Sequence, residues 1–469
     1  MWLKNAQIVN RTDNQSKFDA LRREFSTFTF ERQSVAKKDG NLSLTFEFNL
    51  DDRYHFRPTL EIPARTFFDW ESIPMEQLEI LAFQIGMTEL VSYWKIACPK
   101  KVVVKPFALT KSQISFWKKL YYNGLGEFLY LNGISVSEAE LMEIVDFEGI
   151  DTLPSVGMTC PQNPADHVIP SDEGASVSMG SVRFEERTLV PIGGGKDSVV
   201  TLECLRNEMP VIPMIVNPRG ATLSCVKVAG YEENEFIVIN RTLDPMMLQL
   251  NKEGYLNGHT PFSALLAFIS ILVAFGSRSK YIALSNENSA NETTVPGTNI
   301  NHQYSKSIEF ERDFRNYVAE NLSDEVQYFS FLRPLSELQI ASLFAQCEAY
   351  HTVFRSCNVG SKTDSWCGHC PKCLFTWIIL SPFLSHDKLT AIFGKDLMAD
   401  ESLRPIFEEL NGTAPVKPFE CVGTVEEVRA CMEAVKGNKK DVEVILHRFN
   451  EEHFLPEKFE RILKSKLNV

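Results

Sequence analysis

A glycine-rich turn between a short apolar run and a helix-like segment constrains the fold of this chain more than any other feature. The turn, GGGKDS at residues 193–198, follows TLVPI and precedes VVTLECL. A strand, a glycine turn and a helix in this order bring backbone N–H groups to the positive end of a helix, where they can hold an anion. A purely structural turn would need neither three glycines nor Lys-Asp-Ser. The segment therefore predicts a phosphate-binding turn.

The rhythm of the rest of the chain indicates an α/β fold. Beyond the turn, short apolar runs alternate with helix-length segments, which is typical of a parallel sheet with helices on both faces. Before it, alternating apolar residues around Lys-Asp-Gly-Asn predict a β-hairpin, and helical spacing follows at 75–97 and 109–133. The predicted domains are 1–150, a smaller α+β domain; 151–185, a linker or long loop; 186–382, the sheet domain; and 383–469, a helical segment.

Charge and hydrophobicity limit the partners of the chain. The formal net charge of −13 disfavours nucleic acid, which is bound mainly through Lys and Arg. The most hydrophobic run, 261–275, is shorter than the roughly 20 residues that cross a bilayer, and predicts a buried helix without membrane insertion. The first residues lack the pattern of a secretory signal, so we expect a cytoplasmic protein. The sequence gives no indication of oligomeric state.

Two common nucleotide fingerprints do not fit the turn. The Walker A pattern has four residues between its glycines and then Gly-Lys-Ser/Thr, whereas here Lys196 follows a glycine triplet and Asp197 separates it from Ser198. The Rossmann pattern needs a third, helix-packing glycine or alanine, and Asp-Ser stands there instead. Neither of these nucleotide-binding motifs therefore explains the turn.

The turn resembles the pyrophosphate loop of the PP-loop ATP pyrophosphatases, written Ser-Gly-Gly-x-Asp-Ser. The matching residues are Gly194, Gly195, Asp197 and Ser198. Gly193 replaces the first serine, which leaves more of the phosphate binding to main-chain N–H groups. The resemblance implies that ATP is cleaved between its α- and β-phosphates, that Asp197 helps to hold Mg²⁺ and that Lys196 offsets phosphate charge. It also implies that Met214 and Val216, on the next strand, face adenine.

Four closely spaced cysteines predict a metal site. Their pattern is C-x9-C-x2-C-x2-C, formed by Cys357, Cys367, Cys370 and Cys373. Four thiolates complete a tetrahedral Zn²⁺ site and leave no position for a water, so the role would be structural; redox-active or merely buried thiols are the alternative. His369 or His351 could replace one cysteine.

A PP-loop followed by this cysteine spacing is similar to that of the 7-cyano-7-deazaguanine synthases. The remaining cysteines are predicted to be packing residues: Cys98, Cys160, Cys204, Cys225, Cys347, Cys421 and Cys431.

The densest polar stretch, residues 285–314, follows the predicted strand YIALS. Because ligands gather beyond the carboxyl ends of strands in open α/β sheets, we expect part of it at the mouth of a crevice: Asn286, Glu287, Asn288, Ser289 and Asn291. Further along, His302, Tyr304 and Lys306 add acid–base and anion-binding groups. A solvated loop is the alternative. His259, before the buried helix, has either a capping-region or a catalytic role.

Several motifs together resemble the glycopeptidyl-glutamate epimerases of peptidoglycan synthesis, the MurL type: GGGKDS, NGHTPFSALLAF, SNENSANE, NHQYSKSIEFE and WCGHCPKCLF. The resemblance implies ATP- and Mg²⁺-dependent inversion of the terminal L-glutamate of UDP-N-acetylmuramoyl-L-alanyl-L-glutamate, with release of AMP and pyrophosphate, and a substrate-binding N-terminal domain. An acyl-adenylate lacks the carboxylate charge that opposes removal of the α-proton. The candidates for proton transfer and substrate binding are His302, Glu287, Tyr304 and Lys306, and His302 ranks first because an imidazole titrates near neutrality.

Two other functions fit parts of the same pattern. One is another adenylating PP-loop enzyme that forms a nitrile, a thiolated product or an amide, as in the 7-cyano-7-deazaguanine synthases. The other is a non-catalytic, zinc-containing nucleotide-binding protein, for which Gly193 in place of serine is the best support. A requirement for ammonia or sulfur would distinguish the first from an epimerase, and failure to form AMP would favour the second.

Overall fold

The computed structural model describes residues 11–146, 182–295 and 297–467. The strands are β1 Thr27–Lys38, β2 Asn41–Leu50, β3 Tyr54–Phe56, β4 Thr59–Ile62, β5 Lys101–Val104, β6 Glu143–Asp146, β7 Glu185–Pro191, β8 Val211–Val216, β9 Ile237–Thr242, β10 Ser279–Leu284 and β11 Gln327–Ser330. The helices are α1 Gln15–Glu24, α2 Met75–Trp94, α3 Lys111–Gly124, α4 Gly126–Leu131, α5 Glu138–Leu141, α6 Lys196–Leu205, α7 Gly220–Val228, α8 Pro245–Lys252, α9 Phe262–Ser277, α10 Ile308–Asn321, α11 Glu337–Ala345, α12 Pro371–Leu380, α13 His386–Phe393, α14 Arg404–Leu410, α15 Val425–Val435, α16 Lys440–Leu446 and α17 Glu457–Leu467.

In the described part of the chain, eleven strands form one sheet, in the order β11-β10-β7-β8-β9-β4-β2-β1-β5-β6, with β3 paired to β2. The five strands from β7 to β11 are parallel, as predicted. Beyond them the sheet is mixed, because β4 pairs antiparallel with β9. The α/β class is therefore confirmed, whereas the N-terminal strands do not form a sheet of their own. They cover the edge that β9 would otherwise expose to solvent.

Helices pack on both faces of the parallel strands. On β7 and β10, Leu189 and Ile282 belong to a core shared with the N-terminal strands, α2, α9 and α10. Their chain neighbours Val190 and Ala283 belong to a second core, with α6, α11, α12 and the C-terminal helices. Alternate strand residues point to opposite faces, so the two cores lie on opposite sides of the sheet. The prediction of helices on both faces is confirmed.

Local predictions hold in most places. The hairpin β1–β2 turns at Asp39-Gly40, where both residues have positive φ, and α9 is the predicted buried helix. The C-terminal segment is helical from α13 to α17. The segment 109–133 differs, because it breaks into α3 and α4 at Leu125. Gly124 ends α3 and lets Pro261 pack closely against it, since a Cβ there would lie 2.8 Å from the Pro261 ring.

The predicted linker, 151–185, lies almost wholly outside the described residues, and the division into domains stays a prediction. Among the described helices, none is long and apolar enough to cross a membrane.

Candidate active site

The glycine turn lies where the sequence predicts it, between β7 and α6. Strand β7 has β8 on one side and β10 on the other, so the strand order reverses at this strand. In open α/β sheets, ligands bind at such a reversal, outside the carboxyl ends of the strands. The turn is held by a hydrogen bond from Arg355 N to Gly194 O, 2.7 Å, and by Ser198 Oγ, which donates to Gly195 O at 3.0 Å. The structure therefore places this turn at a ligand-binding position.

The first two glycines of the turn should respond differently to substitution. A Cβ on Gly193 would meet nothing within 4 Å, whereas Gly194 has φ of +80° and a Cβ there would lie 3.0 Å from Thr222 N. We expect Gly193→Ser to fold as stably as wild type and Gly194→Ala to lose about 1–2 kcal/mol, the usual cost of a left-handed residue. Urea unfolding measures both. Equal losses in the two variants would contradict this.

Lys196 and Asp197 form a charged cluster with a residue that the sequence analysis missed. The Lys196 ammonium is buried, donates to Asp197 Oδ1 at 2.5 Å and pairs with Glu337 at the start of α11. Burial alone would lower the pKa of Lys196, but the two carboxylates outweigh it and raise the pKa, so the lysine stays charged. Nothing in the sequence around Glu337 signals this contact, because α11 lies 141 residues further along the chain.

A second cluster brings together residues from four segments. The ring Nδ1 of His302 lies 2.5 Å from Glu127 Oε2 on α4, and His259 Nδ1 lies 3.6 Å from the same oxygen. The His302 ring also hydrogen-bonds to Cys421, whose Sγ accepts a hydrogen bond from Lys306 Nζ at 3.1 Å. We call Glu127, His302, Lys306 and Cys421 the thiol cluster.

The opposite charges in the thiol cluster shift the pKa values of His302 and Cys421 so that both side chains favour their charged forms. Burial alone would lower the pKa of His302, but its hydrogen bonds with Cys421 and Glu127 raise it to about 9. Burial would raise the pKa of the Cys421 thiol, but Lys306, Lys372 and His302 hold it well below its usual range. Burial and the neighbouring His302 lower the pKa of His259 to about 4. At neutral pH the cluster therefore contains a thiolate beside an imidazolium and an ammonium group.

Arg333 links the polar loops to this site. Its fully buried guanidinium donates to the carbonyl of Glu287 at 2.6 Å and to the carbonyl of Lys306, and it lies 3.2 Å from Glu311 Oε2. The Glu287 carboxyl accepts from Ala290 N at 2.9 Å, and burial raises its pKa. Burial also raises the pKa of Tyr304. Of the four predicted proton-transfer residues, His302 and Lys306 belong to the thiol cluster, while Glu287 and Tyr304 do not contact Cys421.

The strand residues predicted to face adenine are positioned differently from each other. Met214 is fully buried near the end of β8, in the core that includes α9, and Val216 ends the strand half-buried. Their contact with a nucleotide stays a prediction.

The four predicted cysteines form one cluster that could hold a metal ion. The Sγ–Sγ distances are 3.7 Å between Cys357 and Cys370, 3.6 Å between Cys367 and Cys373, and 3.5 Å between Cys370 and Cys373. Thiolates at about 2.3 Å from a tetrahedral Zn²⁺ lie roughly 3.8 Å apart, so the donor set fits zinc. Neither histidine replaces a cysteine, since His369 is exposed and His351 faces Phe344 O.

Zinc content should depend on this cluster. We expect the purified chain to carry about one zinc, and Cys373→Ser to lose it and much of its stability, because structural zinc contributes to folding directly. The matched control is Cys431→Ser, since both thiols are fully buried but Cys431 lies outside the cluster. Elemental analysis and thermal unfolding measure the two effects. Full zinc occupancy in Cys373→Ser would contradict the assignment.

The sequence analysis missed Cys421 and Glu127 as well as Glu337. Cys421 was grouped with the packing cysteines, but its Sγ accepts a hydrogen bond from Lys306 Nζ and the residue is only partly buried, so packing alone does not describe it. Cys160, from the same group, lies outside the described residues. The one available signal for Glu127 was the Gly-Leu-Gly sequence before it, which breaks the helical pattern and lets α4 start in a new direction.

Fold and site define an α/β protein with a glycine-rich turn at a strand-order reversal and a cysteine–histidine–carboxylate cluster whose Lys306 interacts electrostatically with Asp197 of that turn. Comparison with known proteins then gives the family. Residues 19–331 match the MurL N-terminal domain and residues 353–458 match the MurL C-terminal domain. The chain belongs to the MurL family, as the resemblance implied.

Three relatives bear the name UDP-N-acetyl-alpha-D-muramoyl-L-alanyl-L-glutamate epimerase. Those of Micromonospora sp. and Salinispora tropica are each 34% identical over 86% of this chain and 86% or 84% of their own length. That of Xanthomonas oryzae pv. oryzae is 31% identical over 89% of this chain and 87% of its own length. The chain is therefore an epimerase, a type of isomerase. No solved structure gives a significant match to it.

Proposed function

We propose that this chain inverts the terminal L-glutamate of UDP-N-acetylmuramoyl-L-alanyl-L-glutamate to D-glutamate during peptidoglycan synthesis. ATP is the second substrate, and the reaction passes through an acyl-adenylate and releases AMP and pyrophosphate. The names of the relatives support the substrate. The glycine turn and its agreement with the PP-loop pattern support the use of ATP.

One observation supports the proposal: the same lysine interacts with the glycine turn and with the acid–base groups. The ammonium of Lys306 interacts electrostatically with both Asp197 of the turn and Cys421 of the thiol cluster. An epimerase that adenylates its substrate needs this arrangement, because the activated carboxyl and the α-carbon are adjacent atoms. A kinase or a simple nucleotide-binding protein has no use for a thiolate and an imidazolium there.

Residue roles follow from position and charge. The main-chain N–H groups of the turn, Ser198 and Lys196 bind the β- and γ-phosphates. Asp197, on the first turn of α6, would hold Mg²⁺, and the ion would supply charge that neutralises the phosphates. Lys306, which interacts with Asp197 of the turn as well as with Cys421, supplies the positive charge that stabilises the oxygen that becomes negative when the α-proton leaves. His302 transfers that proton. The four-cysteine cluster holds the segment at the start of α12. Lys372, in the first turn of that helix, contributes positive charge near Cys421.

The decisive experiment is turnover in D₂O. The full-length chain is incubated with UDP-N-acetylmuramoyl-L-alanyl-L-glutamate, ATP and Mg²⁺, and glutamate chirality, α-deuterium and AMP are measured. We expect D-glutamate, deuterium at the α-carbon and AMP, without ammonia or a sulfur donor. The same dipeptide ending in L-glutamine at that position is the control for substrate specificity. No D-glutamate and no solvent deuterium would exclude the proposal.

The His302–Glu127 contact predicts a measurable titration. We expect the pKa of His302, followed by NMR of the imidazole, to lie near 9 in wild type and to fall in Glu127→Gln, which removes a negative partner. Because the folded-state pKa is raised, the stability that Glu127 contributes through this pair is fully present below about pH 6.5 and is lost as the pH rises through about 9. Glu24→Gln, at an exposed ion pair with Arg53, should leave the titration unchanged. An unshifted His302 in Glu127→Gln would contradict the assignment.

A further inference from the structure

We propose that Cys421 is the nucleophile of the reaction: it accepts the activated glutamyl group from the adenylate and holds it as a thioester while the α-carbon is inverted. This inference rests on the proposed function, because the adenylate is the acyl donor. It adds a covalent intermediate and a catalytic residue to that function.

The geometry is that of an activated nucleophile. Cys421 hydrogen-bonds to the His302 side chain, and Nδ1 of that imidazole lies 2.5 Å from Glu127 Oε2. A nucleophile, a base and a third group that orients the base are the arrangement that activates a nucleophile for acyl transfer. Lys306 Nζ, 3.1 Å from the sulfur, adds a positive charge that favours the thiolate. Cys421 as a residue is only partly buried.

Cys421 differs from the other cysteines of the described chain outside the metal cluster. Burial raises the pKa of Cys98, Cys204, Cys225, Cys347 and Cys431, so these thiols stay protonated and unreactive. The pKa of Cys421 alone among them is lowered, and its positive neighbours come from two segments, His302 and Lys306 from the loop before α10 and Lys372 from the start of α12. A packing cysteine does not need two lysines and a histidine around it.

The proposed step balances. The Cys421 thiolate attacks the carbonyl carbon of the acyl-adenylate and forms the S–C bond; the C–O bond to phosphate breaks, and AMP leaves with that electron pair and with the imidazolium proton of His302. The neutral imidazole can then accept the α-proton, and the carbanion is delocalised onto the thioester oxygen. A water molecule on the opposite face then gives its proton to the α-carbon, and the hydroxide so formed attacks the thioester carbonyl. The S–C bond breaks, the thiolate leaves with its electron pair, and His302 keeps the α-proton, so the thiolate and imidazolium of the free enzyme are restored.

A thioester also explains why the cluster has these members. Once the acyl group is on Sγ, its oxygen and its α-carbon are each only two bonds from the sulfur. The groups that contact the sulfur, Lys306 and His302, are then next to the atoms on which they must act. Acylation also removes the thiolate charge, which is one cause of the high pKa of His302, so the imidazole becomes a base only after the substrate is attached.

The test separates acylation from adenylation. Wild-type enzyme in excess over the dipeptide substrate is mixed with ATP and Mg²⁺ and quenched in acid, and AMP, free dipeptide and protein mass are followed. We expect AMP to appear before free dipeptide, with the missing dipeptide bound to the Cys421 peptide and released by neutral hydroxylamine. Cys421→Ala and Cys421→Ser should lose the adduct and epimerise on the order of 1,000-fold more slowly, while pyrophosphate still exchanges into ATP. Cys347→Ala is the matched control, because Cys347 is also partly exposed but its thiol has a pKa of about 11.

The outcomes are distinct. If Cys421→Ser epimerises at the wild-type rate, or if AMP and free dipeptide appear together with nothing bound to protein, the thioester is excluded and the proposed function stands. If wild type shows neither pyrophosphate exchange nor AMP, the proposed function itself fails.

Discussion

Asp197→Asn is expected to abolish AMP formation, with a loss on the order of 100- to 1,000-fold or more. Asp197 is on the first turn of α6, directly after the glycines, and its side chain is one-third exposed. Asparagine keeps the size and the helix start but removes the charge that holds Mg²⁺. A metal clamp on transferring phosphoryl groups stabilises the transition state by several kcal/mol, which is the source of the expected factor.

The measurement is AMP and pyrophosphate release with the dipeptide substrate, with thermal unfolding to show that the variant folds. The matched control is Asp396→Asn, which removes a carboxylate that pairs with His386 on the C-terminal side of the chain. It should form AMP at the wild-type rate. Raising the Mg²⁺ concentration should recover part of the activity of Asp197→Asn if the defect is in metal binding. Wild-type AMP formation by Asp197→Asn would remove this residue from the site.

The sequence predicted the parts of the site that depend on local spacing. The glycine turn needs only a strand, a turn and a helix in succession, and the zinc cysteines lie within 17 residues of chain, so both follow from neighbours in the sequence. The buried helix α9 follows from its uniform hydrophobicity. These predictions succeeded because hydrogen bonding and burial over such short spans leave few alternatives.

Long-range pairing could not be predicted in the same way. Glu337 joins Lys196 across 141 residues, and Glu127 joins His302 across 175, and neither residue stands in a recognisable motif. Cys421 is in an irregular segment before α15 and has no spacing partner, so its composition alone suggested packing. The pairing of β4 with β9 was missed for the same reason, because strand order is set by edges that meet only after folding.

Arg333→Ala is expected to lower the free energy of unfolding by about 3–5 kcal/mol, because it removes one partner of a fully buried ion pair and leaves Glu311 charged without compensation. Two carbonyls, of Glu287 and Lys306, would also lose their buried donor. Those carbonyls lie in the loops that carry the polar residues of the site. The variant should therefore lose epimerisation as well as stability, although Arg333 acts on the substrate only by positioning Lys306.

Urea unfolding followed by tryptophan fluorescence measures the loss. Arg312→Ala is the matched control, because its ion pair with Glu452 at 3.1 Å is half exposed or more on both sides and should contribute less than about 1 kcal/mol. Arg333→Lys tests the positioning role: a lysine keeps the charge but cannot bind both carbonyls and Glu311 in one plane. It should regain part of the stability and little of the activity. An Arg333→Ala variant as stable as Arg312→Ala would contradict this prediction. It would mean that contacts other than those of Arg333 hold the loops and place Lys306 beside Cys421.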